Sequence, residues 1–191
     1  MARSADNEFI EVSAGLDLLF NFARRQEPED AEKLIAEVAT TVEEAYGSHG
    51  WLWRLRLAQA RAEIALARGR WEESLRLVEI ALRQSRDWGR IKYKVLGLKT
   101  RGQALGSLGR THEAIVDLRN ALDAAHHTGD PSLFLNVAAA LLAVEDDPDL
   151  AHEAYSTAQG MRAALPNDQM RWIFEGAEPV QQIARCCLKN G

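Results

Sequence analysis

Cysteine is almost missing from this chain. Its two copies, Cys186 and Cys187, are adjacent. A disulfide between neighbours is strained and a disulfide framework needs more thiols, so the expectation is reduced thiols in a cytoplasm. No apolar run reaches the roughly 18 residues that a transmembrane helix needs. Residues Met1 to Glu8 bring in acids early, with no apolar core of a signal peptide. A basic surplus is also missing: 23 Lys and Arg stand against 28 Asp and Glu, for a net charge of −5 and a pI of about 5.6. Such a balance excludes a general nucleic-acid binder and an anionic membrane surface as the default partner. No segment sustains strict apolar–polar alternation, so no strand is expected. There is no Gly-rich phosphate loop, nucleophile elbow or His-Glu-x-x-His motif. The expectation is therefore a non-enzyme with no catalytic residues and no cofactor.

What is present is a repeat. Sliding the sequence by forty residues superposes Arg61, Gly69, Arg70, Glu73, Ala81, Leu82 and Gly89 on Arg101, Gly109, Arg110, Glu113, Ala121, Leu122 and Gly129, each pair identical. A further slide matches His112-Glu113-Ala114 to His152-Glu153-Ala154. Within each unit the apolar residues follow a helical period. Ala114, Ile115, Leu118, Ala121, Leu122 and Ala125 form one stripe. Ile91, Val95, Leu98, Gly102 and Leu105 form another. Trp51, Leu55, Ala58, Ala62 and Ala65 precede them, followed by Leu75, Val78 and Leu82. Phe9, Val12, Leu16, Leu19 and Ala23 open the series, and Ala31, Leu34, Ile35, Val38 and Val42 come next.

Asp130-Pro131 and Asp147-Pro148 each read as an N-cap acid before a first-turn proline. Glu27-Pro28 and Glu178-Pro179 also put proline at a helix start, and Pro166 stops a helix. Gly69, Gly89, Gly109 and Gly129 fall where helices must end. The spacing predicts helices over about 6–25, 29–46, 50–68, 71–88, 91–108, 111–127, 132–144 and 148–164, with one or two shorter ones to about 189. One all-α domain spans 1–191: a divergent N-terminal hairpin at 1–49, regular repeats at 50–165 and a C-terminal cap at 166–191. A lone hairpin cannot bury both of its stripes, so stacking neighbours must complete the core. Small residues at Ala62, Gly102, Ala81 and Ala121 permit close approach.

Gly69-Arg70-Trp71-Glu72-Glu73-Ser74 resembles the turn of a tetratricopeptide (TPR) repeat, as does Gly109-Arg110-Thr111-His112-Glu113-Ala114. Gln26 to Ala31 and Asp149 to Ala154 are degenerate versions. The forty-residue unit departs from the usual thirty-four, the early tryptophan is replaced by Ala58 and Leu98, and the late proline by Arg86 and His126. The long unit is similar to the arms of large bacterial signalling ATPases, adenylate cyclases and MalT-like transcription activators. Residues Ala164 to Phe174, with Pro179-Val180, resemble the cap of such arms. The resemblance runs from about Trp51 to Ile183. It implies a right-handed solenoid of about four hairpins with a C-terminal cap, and a binding or regulatory role in signalling.

The resemblance also implies that the first helix of each hairpin lines a concave groove. The matching outward positions are Arg56, Gln59 and Glu63, then Leu96, Lys99 and Gln103, then Asn136 and Ala139. Arg56, Gln59, Glu63, Lys99, Gln103 and Asn136 are the candidate partner-binding residues, because long polar side chains suit a peptide backbone or acidic groups. Arg54, Arg61 and Arg68 share a helical stripe. Guanidinium groups grip carboxylates and phosphates, but pairing with Glu43, Glu44, Glu63 or Glu73 and packing of the stems is the simpler expectation. Of the histidines, His126 and His127 point to different faces and His49, His112 and His152 are isolated, so no metal site is expected. Glu145-Asp146-Asp147-Asp149 lacks the pattern of a calcium loop. Trp51, Trp53, Trp71, Trp88 and Trp172 sit at helix ends and turns. Trp53 lies off its helix's stripe and is the candidate exposed interface anchor.

The leading expectation is a protein- or peptide-binding scaffold acting through the concave groove. The alternatives are a sensor that encloses a small molecule or signalling peptide, and a structural module that makes a homodimer.

Overall fold

The computed structural model describes residues 5–25, 27–44 and 49–189, with side chains of the first helix from Ile10 onward. The Phe9 side chain and Gln26, used in the sequence patterns above, and the end of the second predicted helix lie outside what is described. The described residues contain ten helices and no strand. They are α1 (Ala5–Arg24), α2 (Pro28–Glu44), α3 (Gly50–Ala67), α4 (Trp71–Asp87) and α5 (Ile91–Ser107). Then come α6 (Thr111–His126), α7 (Pro131–Leu142), α8 (Pro148–Ala164), α9 (Asp168–Glu175) and α10 (Glu178–Lys189).

Backbone chemistry sets the helix boundaries. Gly69, Gly89, Gly109 and Gly129 all have φ between +60° and +76°, a region that costs other residues a clash of Cβ with the carbonyl. At the first of these, the Gly69 amide donates to Leu66 O and the Arg70 amide to Ala65 O, both at 2.9 Å. Gly89 with Arg90 and Gly109 with Arg110 repeat the same pair of bonds. These paired bonds satisfy the last carbonyls of α3, α4 and α5 and reverse the chain. At the starts of α7 and α8, the Asp130 carboxylate accepts from the amides of Ser132 and Leu133, and the Asp147 carboxylate from Leu150.

The helices pack in chain order and form two rows. In the inner row, α1 lies against α3, α3 against α5, α5 against α7, and α7 against α10. Among the described residues α2, α4, α6 and α8 each pack on their inner neighbours and not on one another, though the side chains of His126 in α6 and Glu153 in α8 meet at 3.3 Å. Composition follows position. Outer α4 buries only Ser74, Val78, Ala81, Leu82 and Ser85, a single stripe. Inner α3 buries residues on almost every face, since α1, α2, α4 and α5 all cover it. One α3 stripe, Trp53-Leu57-Ala60-Ile64, packs on Leu16, Leu19 and Phe20 of α1 and on Val38 and Val42 of α2.

Close approach between rows depends on missing side chains. A Cβ on Gly102 would sit 2.6 Å from Leu118 Cγ, and one on Gly97 would sit 2.7 Å from a Leu82 methyl. In the preceding hairpin Ala62 takes the Gly102 position, and the Ser74 hydroxyl donates to its carbonyl at 2.9 Å. At the C-terminal end α10 occupies the place of a further inner helix. Its Ile183 is fully buried with Phe134, Leu135 and Leu141 of α7. Helix α9 touches only α8 and α10, buries no residue, and leaves Trp172 75 % exposed. No described helix is long and apolar enough to cross a membrane.

Candidate partner-binding cavity

A cavity of about 1120 Å³ opens on the inner row. Helix α5 contributes Lys99, Gln103 and Ser107, four apart and so on one face. Helix α7 faces them with Asn136, Ala139 and Ala140, and its C-cap Ala143 extends the alanine wall. Glu63, Leu66 and Ala67 of α3 and the α4 residue Trp71 make the third side. Arg24, Arg25 and Glu27 close it from the end of α1, and Ile173, Glu178 and Pro179 close it from the α9–α10 junction.

Most of the charge in this cavity is already compensated. Arg24 Nε lies 3.1 Å from Glu63 Oε2, and Arg25 lies 3.1 Å from Glu27. Gln59 Nε2 donates to the other Glu63 oxygen at 3.0 Å and to Thr100 Oγ1 at 2.9 Å, so the acid is held on both oxygens. Lys99 is different. Among the described residues it forms no ion pair. Burial pushes its ammonium below the usual lysine range and Arg24 pushes the same way, while Glu63 and Glu178 pull it back up. Among the described residues the cavity therefore offers the unpaired cation Lys99, the unpaired acid Glu178, the Gln103 amide and an alanine wall. It can hold a chain with an acidic group on one side and apolar groups on the other.

Of the six residues expected in a groove, Glu63, Lys99, Gln103 and Asn136 line this cavity. Arg56 and Gln59 do not. The Arg56 side chain is mostly covered and pairs with Asp17 of α1. Gln59 is fully buried between α3 and α5. Both were expected to face outward, but α1 covers Arg56 and α5 covers Gln59. Trp53 also departs from expectation. It is 7 % exposed and belongs to the α1–α2–α3 core, so it is not an exposed anchor. The sequence signal for its burial was the second stripe it shares with Leu57, Ala60 and Ile64. The exposed tryptophans are Trp71, Trp88 and Trp172.

The arginine stripe divides as well. Arg68 pairs with Glu29 and Glu32, Arg101 with Asp117 and Glu79, and Arg54 and Arg61 make no ion pair among the described residues. The cavity walls at α1 and α9–α10 carry no motif, and nothing in the apolar stripes marks them. A smaller hollow of about 540 Å³ lies in the gap between outer helices α4 and α6, floored by Arg101 and Leu105 of α5. No group of three His, Cys, Asp or Glu suited to a metal occurs among the described residues.

These features define a class: a helical array packed in chain order with a cavity on its inner row. Beyond the class, no family model, curated protein or solved structure matches the chain.

Proposed function

We propose that the chain is a right-handed solenoid of TPR-like hairpins with a C-terminal cap. Its role in this reading is non-catalytic: it holds a peptide or short helix of a partner protein in the inner-row cavity. The observation that carries the reading is the asymmetry of the rows. Inner helices pack backbone to backbone against each other, while the outer helices stand apart except for side-chain contacts such as His126 with Glu153, which bends such an array toward its inner face and leaves a preorganised hollow there. The forty-residue repeat and the mixed lining support it. Lys99 meets an acidic side chain of the partner, Gln103 its backbone, and the α7 alanines its apolar side.

The test is selection of peptides from a displayed random library on the immobilised protein, followed by calorimetry. Binding at least tenfold weaker to Lys99→Glu with Asn136→Asp, at unchanged helicity, supports the reading. Selected peptides that bind the variant equally well, or no selectable peptide at all, count against it.

One observation favours a second reading, a sensor for a small molecule. The ends of α1 and the α9–α10 junction wall the cavity in. That reading expects a metabolite to raise the melting temperature, with no enrichment of peptides.

A further inference from the structure

The chain is acidic overall, yet one stretch reverses the sign. Residues 83–94 carry the cations Arg83, Arg86, Arg90, Lys92 and Lys94 against the single acid Asp87, a local net charge of +4 in a chain of −5. All five cations are exposed, and among the described residues none forms an ion pair. Arg83 and Arg86 lie toward the C-terminal end of α4, where a cation is favoured, but the placement of the other three works against the fold. Arg90 is the N-cap of α5 and has no capping bond. Lys92 and Lys94 follow at the positive end of that helix, whose first turn contains no acid. The outer helices α2, α4, α6 and α8 each place an acid in the first turn, and the inner helices α3 and α7 place neither an acid nor, in α7, a cation there. Lys92 and Lys94 form no ion pair among the described residues, and a locally unfavourable arrangement of this kind marks a functional surface.

The same turn displays apolar bulk. Trp88 is 54 % exposed and Ile91 46 % exposed. Nothing lies within 4 Å of a Cβ built on Gly89 between them, so the turn stands clear of its neighbours. Trp88 is braced from behind by Trp51, stacked at 4.6 Å, and Arg90 sits over the Trp51 ring. A turn with an exposed aromatic and an exposed aliphatic side chain, flanked in the chain by exposed cations, has the chemistry of an interfacial anchor.

We propose that the α4–α5 turn docks the chain on an anionic lipid surface. Trp88 and Ile91 enter the headgroup region, and the five cations meet lipid phosphates and carboxylates. Single-stranded nucleic acid fits less well. A base would use the open face of Trp88, but it has no use for Ile91, and the other Trp88 face is covered by Trp51. A peptide fits less well too, because the turn is convex. The surface is separate from the inner-row cavity, so the two readings stand or fall independently.

The experiment is co-sedimentation of the full chain with phosphatidylcholine vesicles, with and without phosphatidylserine, at low and high salt. A single-stranded oligonucleotide serves as the competing probe. The expected result is binding to phosphatidylserine vesicles only, weakening as salt rises. The pair Lys92→Gln and Lys94→Gln should bind about 30-fold more weakly, from about 1 kcal/mol per cation, yet melt no lower than the parent. Ile91→Ser, which leaves the Trp51–Trp88 stack in place, should also bind several-fold more weakly. Equal binding to neutral vesicles, no binding to either kind, or tight oligonucleotide binding lost in the same variants would each overturn the proposal.

Discussion

Arg101 holds both carboxylate oxygens of Asp117, Nε to Oδ2 at 2.6 Å and Nη2 to Oδ1 at 2.7 Å, joining α5 to α6. The bond to Asp117 raises the Arg101 pKa, burial opposes it, and Glu79 raises it further. The preceding hairpin has Arg61 in the Arg101 position and Leu77 in the Asp117 position. The fold therefore accepts the arginine without the acid. Asp117 is only 6 % exposed and cannot lose its cation as easily. Arg101→Met should cost about 2–4 kcal/mol, since it strands a buried charge, and Asp117→Leu less than about 1 kcal/mol. Urea unfolding of the two variants measures the asymmetry. Equal costs would contradict it.

Gly102 and Gly160 make opposite predictions for the same substitution. A methyl at 102 would meet Leu118 Cγ at 2.6 Å and the Ala114 carbonyl at 3.2 Å, while a methyl at 160 meets nothing within 4 Å. Gly102→Ala should lose about 1–3 kcal/mol through overpacking. Gly160→Ala, at an exposed site in α8, should gain about 0.5–1 kcal/mol from helix propensity. Thermal melts of the pair decide it.

The helices were legible because their signals are local. Gly109 and Arg110 end one helix with two backbone bonds that neighbouring residues supply, and Asp130-Pro131 starts another through its own carboxylate. The predicted limits 71–88, 91–108 and 148–164 lie within a residue of those found. The site was less legible because its members are distant in sequence. Glu63 is fixed by Arg24, and the cavity's far wall comes from Glu178 and Pro179. Neither relation leaves a periodic trace. Gln59 and Trp53 were misplaced for one reason: a single apolar stripe was assumed for α3, where an inner helix is covered on several sides.

That correction has a measurable consequence. Trp53→Ala should cost about 3–5 kcal/mol, as for a large side chain removed from a core. Trp172→Ala, on the exposed face of α9, should change stability by no more than about 0.5 kcal/mol. Chemical denaturation of the two variants tests the assignment, and a mild Trp53→Ala would contradict the three-helix core around it.

Lys99 links the cavity to stability. Its folded pKa lies below the ordinary value of about 10.5, with burial the leading cause. The unfolded chain thus holds this proton more tightly, and carrying the charge opposes folding at neutral pH. The penalty fades as pH rises through the lowered folded pKa and is gone above the unfolded one. Lys99→Met should therefore melt higher than the parent at neutral pH, with the difference shrinking toward alkaline pH, while binding of selected peptides falls. A lower melting point at neutral pH would show that Lys99 is held by partners that favour its charge.

Hydrogen–deuterium exchange with and without the tightest selected peptide tests most directly the claim that the inner row is the binding face. The account predicts added protection in α5 around residues 99–107 and in α7 around residues 136–143, with the outer faces of α4 and α6 unchanged. Protection confined to α4 and α6, or absent from the inner helices at saturating peptide, would contradict it.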